Sequence, residues 1–292
     1  MTENILAVTV VVPGKNEEIN LPRCLDRLSR FKEVIVVDSA SADRTVEIAR
    51  ERGAKVLQFG WNGQYPKKRN WVLLNQRFST EWVLFLDADE FVTDAFCDEV
   101  ARAVTSGAYD GFWLNYRNYF LGQELRHGVT QRKLALFKVG KGLYERIDEQ
   151  AWSPLDMEIH EHPIIEGATG EISTRIDHRD DRGIAKFLER HRDYAVWEAN
   201  RILLLERQSS KSAQLTSRQR FKYANIENWW YPWFYFVYTY IVKLGFLDGS
   251  AGFYYSFYKA WYFLSIRLLV RDLRQGRGRT LAQIGGAPMA ME

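Results

Sequence analysis

Short apolar runs recur along the first hundred residues, and each is followed by a stretch with helical spacing. LAVTVVV (6–12) and VIVVD (34–38) are apolar and β-branched almost throughout, the pattern of strands buried on both faces. AKVLQF (54–59) supplies a third such run and WVLFLDADE (82–90) a fourth. Between them, NEEINLPRCLDRLSRF (16–31) spaces Leu21, Cys24, Leu25 and Leu28 along one helical face. SADRTVEIARERG (41–53) predicts an N-capped helix closed by Gly53, a basic loop and helix follow from Lys67, and Thr93 is placed to cap a helix reaching about Val104. Strands alternating with helices predict βαβ units: an α/β, Rossmann-like, mostly parallel sheet with helices on both faces. Ligands bind such sheets beyond the carboxyl ends of the strands. Asp38, Asp87 and Asp89 fall at those ends, and polar residues gathered on one edge of an apolar sheet are hard to explain as packing.

The pattern changes downstream. Residues 110–182 mix short strands such as GFWLNY and KLALF with loops and hold four of the five histidines. From Ile184 the spacing is helical to about Arg207, with Ile184, Phe187, Leu188, His191 and Ala195 on one face, and SSKSAQLTS (209–217) is a polar linker. Residues 1–208 are therefore expected to form one α/β domain that carries the candidate chemistry, and 209–292 a helical, aromatic and basic region for membrane association or oligomerisation. Twenty of the residues in 221–263 are Phe, Trp or Tyr, but Pro232 and Lys243 interrupt one run and Lys259 and Arg267 the next. Neither is a clean apolar 20-mer, so an interfacial helical pair is predicted rather than membrane spans.

The net charge of +3 hides an asymmetry: eleven Lys and Arg stand against four acids from Lys211 onward, and 29 against 33 before it. A basic tail on a mildly acidic domain points to an anionic partner. A membrane surface fits long apolar runs with basic ends. A nucleic-acid groove would need a polar face around its aromatics, so no nucleic-acid partner is expected, and a homodimer interface is the competing use of the tail. Two cysteines, Cys24 and Cys97, are too few for a disulfide framework and suit a reducing compartment. The start, MTENILAVTVVVP, has no basic n-region and runs straight into a strand pattern. The expected location is cytoplasmic, peripheral or monotopic on the inner face of the membrane.

Four segments carry candidate chemistry. In LDADE (86–90) a DxD at a strand end suits Mg²⁺ or Mn²⁺ bridging two phosphates, since both ions take hard oxygen ligands and keep water and phosphate in the remaining positions. A solvated acidic turn is the plain alternative. VVVPGKNEE (10–18) stops its strand at Pro13 and sets Asn16 and Glu17 at a helix mouth, where a base and ribose can sit. In VVDSASADRT (36–45), Asp38 can accept from a nucleoside while Asp43 suits a helix cap. In YPKKRN (65–70), Lys68 and Arg69 can pair with a diphosphate, and Lys67 fits a solvated basic turn.

In this order and spacing, the four resemble the family 2 glycosyltransferases of the GT-A fold, closely over roughly the first hundred residues. The resemblance implies a nucleotide-diphosphate sugar donor, with UDP as the nucleotide, a Mg²⁺ or Mn²⁺ ion at Asp89, and inversion at the anomeric carbon. It implies base and ribose contacts at Pro13, Asn16, Glu18 and Asp38, with Lys68, Arg69, Asp87 and Ala88 completing the donor site. MEIHEHPIIEG (157–167), IDH (176–178), FLERHRDYAVWEA (187–199) and GFLDGSAGFYYSFYKAWY (245–262) are similar to the branch containing lipopolysaccharide core β-1,4-glucosyltransferases. That implies a lipid-linked or lipopolysaccharide or other glycan acceptor. One departure is RKLALFK (132–138), where that branch often has RLFR; Arg132 and Trp152 are the acceptor or phosphate candidates.

Inverting transfer needs a base opposite the leaving group. The motif match favours Glu161 as that base and His160 as a metal ligand, with Asp148, Glu149, Glu158 and His162 as competitors, and His127 and His191 fit structural histidines. Two other classes compete. A nucleotidyltransferase would show a Gly-rich loop with Arg and Lys after the first strand, where VVVPGKNEE has one Gly. A catalytically silent membrane-bound adaptor would not need the intact DADE and His-Glu pair.

Overall fold

The computed structural model describes residues 5–147, 149, 152–153, 155–156, 163–207, 215 and 217–276. They form two compact units, one from residues 1–124, 130–147 and 155–182, the other from 125–129, 148–154 and 183–292.

The first unit opens with β1 (Leu6–Gly14), α1 (Leu21–Leu25), β2 (Phe31–Asp38), α2 (Thr45–Glu51), β3 (Lys55–Gln58), α3 (Lys68–Asn75) and β4 (Trp82–Phe85). It continues with β5 (Glu90–Phe91), α4 (Asp94–Thr105), β6 (Gly111–Phe120), β7 (Gln123–Leu125), β8 (Arg132–Lys138), β9 (Gly142–Tyr144), β10 (Pro163–Ile165) and β11 (Thr169–His178). Nine strands make one sheet in the order β3-β2-β1-β4-β8-β6-β11-β5, with β7 beside β6, and β9 pairs with β10 separately. The first four strands in that order are parallel. β8 then runs antiparallel to both β4 and β6, β11 is parallel to β6, and β5 closes the edge antiparallel to β11. The sheet is thus parallel where βαβ units build it and mixed beyond β4.

β1 is the central strand. Val11 pairs with Ile35 on one side and Phe85 on the other, and Val8, Val10, Val11 and Val12 are wholly buried. Burial on alternate positions alike requires cover on both faces, which explains why this run is apolar without alternation. Thr93 caps α4 by accepting from the Phe96 N–H at 3.3 Å, as the sequence predicts.

Two elements are shorter than their apolar patterns suggest. The helix expected over 16–31 shrinks to α1, because the Asn16, Glu17 and Glu18 N–H groups bond to Ser41, Thr45 and Asp43 instead of entering a helix. The strand expected over 82–90 stops at Phe85, and a turn closed by Glu90 N–H to Asp87 O (2.9 Å) separates it from β5.

The second unit contains α5 (Gly183–Arg207), α6 (Ser217–Asn225), α7 (Tyr231–Val237), a π-helical turn (Tyr238–Val242), a 3-10 turn (Gly245–Asp248) and α8 (Gly249–Arg274). Its core joins Ala195, Ala199 and Ile202 of α5 to Ile226, Tyr231, Phe263, Ile266 and Val270. By packing, α5 groups with the C-terminal helices, whereas its sequence pattern groups it with the region up to residue 208. Pro232 lies in the first turn of α7, where a missing N–H costs nothing. Among the described residues no helix is long and apolar enough to cross a membrane.

Candidate active site

The carboxyl ends of β1 and β2 are laced together. Beyond Gly14, Asn16 takes a left-handed conformation (φ 56), donates its N–H to Ser41 Oγ (2.8 Å) and accepts from the Ala42 N–H at Oδ1 (2.9 Å). The Glu18 N–H donates to Asp43 Oδ2 (3.1 Å), and Glu18 Oε2 accepts from the Arg44 N–H (3.2 Å). Asp38 is buried and accepts from both the N–H and the hydroxyl of Ser41. Pro13 pairs with Val37 and Gly14 with Asp38 in the strand register. Pro13, Asn16, Glu18 and Asp38, which the sequence assigns to base and ribose, thus share one wall.

Below this wall lie the cations of α3. Lys68 is buried, and its ammonium donates to Gly14 O (3.2 Å) and pairs with Asp156 (3.1 Å). Burial pulls its pKa down, with Asp156 opposing. Arg69 donates to Asp87 Oδ1 (2.7 Å) and sits 5.5 Å from the centroid of the Tyr144 ring. Lys67 is buried as well, so the solvated basic turn expected there is not what the chain forms.

The acidic turn follows β4. Asp87 is gripped from two sides, by Arg69 and by Lys133 Nζ at 2.6 Å, and Lys133 also bridges to Glu90. Glu90 Oε2 accepts from the Asp87 N–H (3.1 Å) and the Tyr116 hydroxyl (3.3 Å). Burial disfavours charge on both partners, but the adjacent carboxylates hold Lys133 well above the usual lysine range, and Lys133 with Arg69 holds Asp87 well below the usual carboxylate range. Burial wins at Glu90 and raises it. Ala88 is buried between the two aspartates.

Asp89 is buried, and its Oδ2 lies 3.5 Å from His178 Nε2. His178 reaches it because β11 and β5 pair His178 with Glu90. With Asn118 Oδ1 accepting from Nδ1 at 3.0 Å, Nε2 is the ring nitrogen left facing the carboxylate. An oxygen and an imidazole nitrogen held this way fit a divalent cation whose remaining ligands are phosphate and water. Among the described residues no group of three or more His, Cys, Asp and Glu gathers to hold a metal without such help.

Glu17 lies behind this turn. Its carboxylate pairs with Arg182 (2.6 Å), which also clamps Asp180 (2.8 Å), and Asn20 Nδ2 donates to Asp180 (2.9 Å). The Arg179 N–H donates to Asp89 O (2.9 Å), so the segment after β11 straps the acidic turn from outside.

Lys133 and His178 are the two functional candidates that the local pattern does not single out. The neighbouring Arg132, the expected acceptor or phosphate contact, faces the other way: it pairs with Glu171 (3.2 Å) and lies 5.3 Å from the Trp113 ring. Alternation along β8 decides which of the two cations reaches Asp87. His160 and Glu161, with Asp148, Glu158 and His162, lie outside the described residues. In the second unit, Glu149 is buried and accepts from Trp197 Nε1 (2.6 Å), and the Trp152 ring lies 6.0 Å from that of Trp197. His127 pairs with Asp248 (2.8 Å) and His191 with Phe187 O (2.9 Å), both structural contacts.

Known proteins are similar to parts of this chain. A lipopolysaccharide core biosynthesis glycosyltransferase, LpsC, of Rhizobium meliloti is 28% identical over 171 residues, 54% of this chain and 57% of that protein. An uncharacterised glycosyltransferase of Rickettsia typhi is 33% identical over 106 residues, 36% of this chain and 35% of its own length. The chain therefore spans about a third of the length of the first curated relatives it matches. Among solved structures, Staphylococcus aureus TarS is 28% identical, covering 39% of this chain and 22% of that one with a TM-score of 0.33. Glucosyl-3-phosphoglycerate synthase of Mycobacterium tuberculosis, crystallised with Mn²⁺, UDP and glucosyl-3-phosphoglycerate, is 24% identical and covers 39% of this chain and 44% of that one, with a TM-score of 0.31. Residues 9–159, just over half of the chain, match the family described as Glycosyl transferase family 2. The strand-end loops, the buried cations of α3 and the acidic turn after β4 all lie within that match, and the chain belongs to the family 2 glycosyltransferases.

Proposed function

We propose that this chain is an inverting glycosyltransferase that moves a sugar from a UDP-sugar to a lipid-linked, lipopolysaccharide or other glycan acceptor at the cytoplasmic face of a membrane. The carrying observation is the convergence of Asp38, Lys68, Arg69, Asp87 and Asp89 at the carboxyl ends of β2 and β4 and the start of α3. Similarity to LpsC supports the lipopolysaccharide acceptor.

In this reading the β1–β2 wall takes base and ribose, with Asp38 accepting from the nucleoside. Lys68 and Arg69 face the diphosphate. Lys133 keeps Asp87 ionised and fixed, so that Arg69 is oriented from one side. Asp89 and His178 would hold Mg²⁺ or Mn²⁺, joined by His160 as the sequence suggests. Such an ion, when bound, neutralises charge developing on the departing diphosphate. Glu161 takes the proton of the acceptor hydroxyl as that oxygen attacks the anomeric carbon from the face opposite the nucleotide, and the sugar–phosphate bond breaks with inversion.

The test is transfer and donor hydrolysis by the full chain with a panel of nucleotide sugars, in Mn²⁺, Mg²⁺ or EDTA. UDP-sugar turnover that EDTA abolishes is expected. Asp89→Ala should fold and lose at least about 10²-fold in rate, the scale of one electrostatic stabiliser. Full activity in EDTA would remove the metal from the mechanism, and no turnover or binding of any nucleotide sugar would remove the reaction itself.

A further inference from the structure

From the end of α7 through the first half of α8, the helical unit wears its large side chains on the outside. Along the first half of α8 the buried positions Ala251, Gly252, Ser256 and Ala260 are small, while Phe253, Tyr254, Phe257 and Trp261 are exposed, Trp261 by 55%; only from Tyr262 on does the helix bury large side chains. An amphipathic helix docked on a water-soluble core does the reverse. The turn between α7 and α8 continues this surface, with Ile241, Val242, Leu244, Phe246 and Leu247 all exposed. The patch is continuous: the Tyr240 ring lies 5.3 Å from Phe236, 6.3 Å from Phe246 and 5.7 Å from Phe253, which lies 6.0 Å from Phe257. Scattered apolar residues need no explanation, but a contiguous aromatic face does.

Charge selects the occupant. From Trp229 to Arg271 the only acid is Asp248. It is buried and accepts from the N–H groups of Arg126 and His127 and pairs with the His127 ring. The same stretch carries Lys243, Lys259, Arg267 and Arg271, of which Lys243 and Arg271 are exposed. The aromatic face therefore has cations on its rim and no exposed carboxylate. A second copy docked through the same patch would bring like charges together, whereas an anionic leaflet answers both the rings and the cations.

The turn is also rigid. A Cβ on Gly252 would lie 2.0 Å from Gly245 O, and one on Gly245 would lie 2.8 Å from Thr239 O, so the chain closes there on bare backbone. No described helix is long and apolar enough to cross a bilayer.

We propose that residues 241–247 and the outer face of α8 insert into the headgroup–acyl boundary of an anionic bilayer leaflet as a monotopic anchor. Ile241, Val242, Leu244, Phe246 and Leu247 enter the acyl zone, and Lys243, 5.6 Å from the Tyr238 ring, snorkels to the phosphates. This deepens the membrane part of the function proposed above, and because the test uses neither donor nor acceptor, it can fail without touching glycosyl transfer, and the converse.

Full-length protein is sedimented with phosphatidylglycerol-containing or pure phosphatidylcholine vesicles at low and high salt. Binding to the anionic vesicles, only partly reversed by salt, is expected. The double variant Val242→Glu, Leu247→Glu changes two exposed side chains and should bind at least about tenfold more weakly, while Ile164→Glu, exposed in the other unit, should bind like the wild type. Val242→Cys carrying a solvatochromic label, with Cys24 and Cys97 buried, should shift to the blue on anionic vesicles. Equal binding by the double variant, or no vesicle binding at all, overturns the proposal. So does a solution dimer that the double variant dissociates, in favour of a second copy on this face.

Discussion

The Glu17 carboxyl is held by Arg182 at 2.6 Å and by Asn20 at 3.3 Å, yet burial outweighs both and pushes its pKa up to about 7. The folded protein therefore keeps a proton that the unfolded chain releases near the ordinary carboxylate value. Stability from this group is complete below about pH 4.5 and is lost as pH rises through about 7, a change of about 3 kcal/mol. Glu17→Gln cannot release that proton. In EDTA, its urea stability relative to the wild type should rise by a few kcal/mol between pH 5 and pH 8; a difference independent of pH would rule the account out. Lys133 gives a second check. Replacing it with Met leaves Asp87 and Glu90 facing each other without their shared cation, and unfolding should become easier by about 3–5 kcal/mol. A loss below about 1 kcal/mol would mean that Arg69 and water satisfy both carboxylates. At this scale the strand-end residues were readable because a polar residue closing an apolar run has few structural uses, which singled out Asp38, Asp87 and Asp89. Lys133 was not readable, and His178, although it falls in the IDH match, could not be given a role. Each arrives from a strand that joins the sheet out of chain order, and only the register of β8 and β11 decides that Lys133, rather than Arg132, and His178 stand beside the acids.

Elements follow the hydrophobic period until something stronger claims their backbone. The first four sheet strands appear where apolar runs predict them, because a strand covered on both faces leaves an unbroken signature. The helix over 16–31 fails for the opposite reason: its apolar spacing is sound, but side chains of the β2 loop capture the N–H groups at 16–18. No local pattern shows that competition, since the donors and acceptors lie some twenty-five residues apart. α8 misleads differently, for period alone cannot say which apolar face is inward when both are apolar. Small residues decide in its first half, because Gly252 of α8 and Gly245 of the preceding 3-10 turn let backbone meet backbone. Gly252→Ala should therefore force α8 away from the 3-10 turn and lower the thermal midpoint of the full chain by several degrees, read by far-ultraviolet circular dichroism. Gly276→Ala meets no neighbouring atom but has a positive φ (68), so its cost should be confined to local backbone strain at the end of α8. Equal effects from the two substitutions would contradict the close-packing argument.

On the scale of the whole molecule, sequence order and compactness do not coincide. The chain leaves the sheet unit at 125, returns at 130, leaves again at 148, returns at 155 and departs finally at 183. A boundary drawn where composition changes, near 208, cannot register this, because the inserted pieces are short and compositionally unremarkable. Their importance is in their bonds. Residues 125–129 supply the Arg126 and His127 N–H groups and the His127 ring to buried Asp248, and the Gly128 N–H to Lys243 O at 2.8 Å. Glu149 supplies the acceptor for Trp197. A chain cut after Arg182 would strip the helical unit of all these partners and leave a carboxylate buried without its donors, which costs about 1–3 kcal/mol for each unmet group. Ending the chain after Arg220 is no cleaner, since Ala195, Ala199 and Ile202 would lose the core that Ile226, Phe263 and Ile266 provide. Fragment 183–292 made alone should therefore lack a cooperative unfolding transition, while the intact chain should unfold in a single calorimetric transition, because neither unit is a continuous stretch that can order by itself. Asp248→Ala in the intact chain should lower that one transition without splitting it. Two well-separated transitions in the wild type, or a fragment 183–292 that melts cooperatively, would show that the threaded segments are passengers rather than structural members.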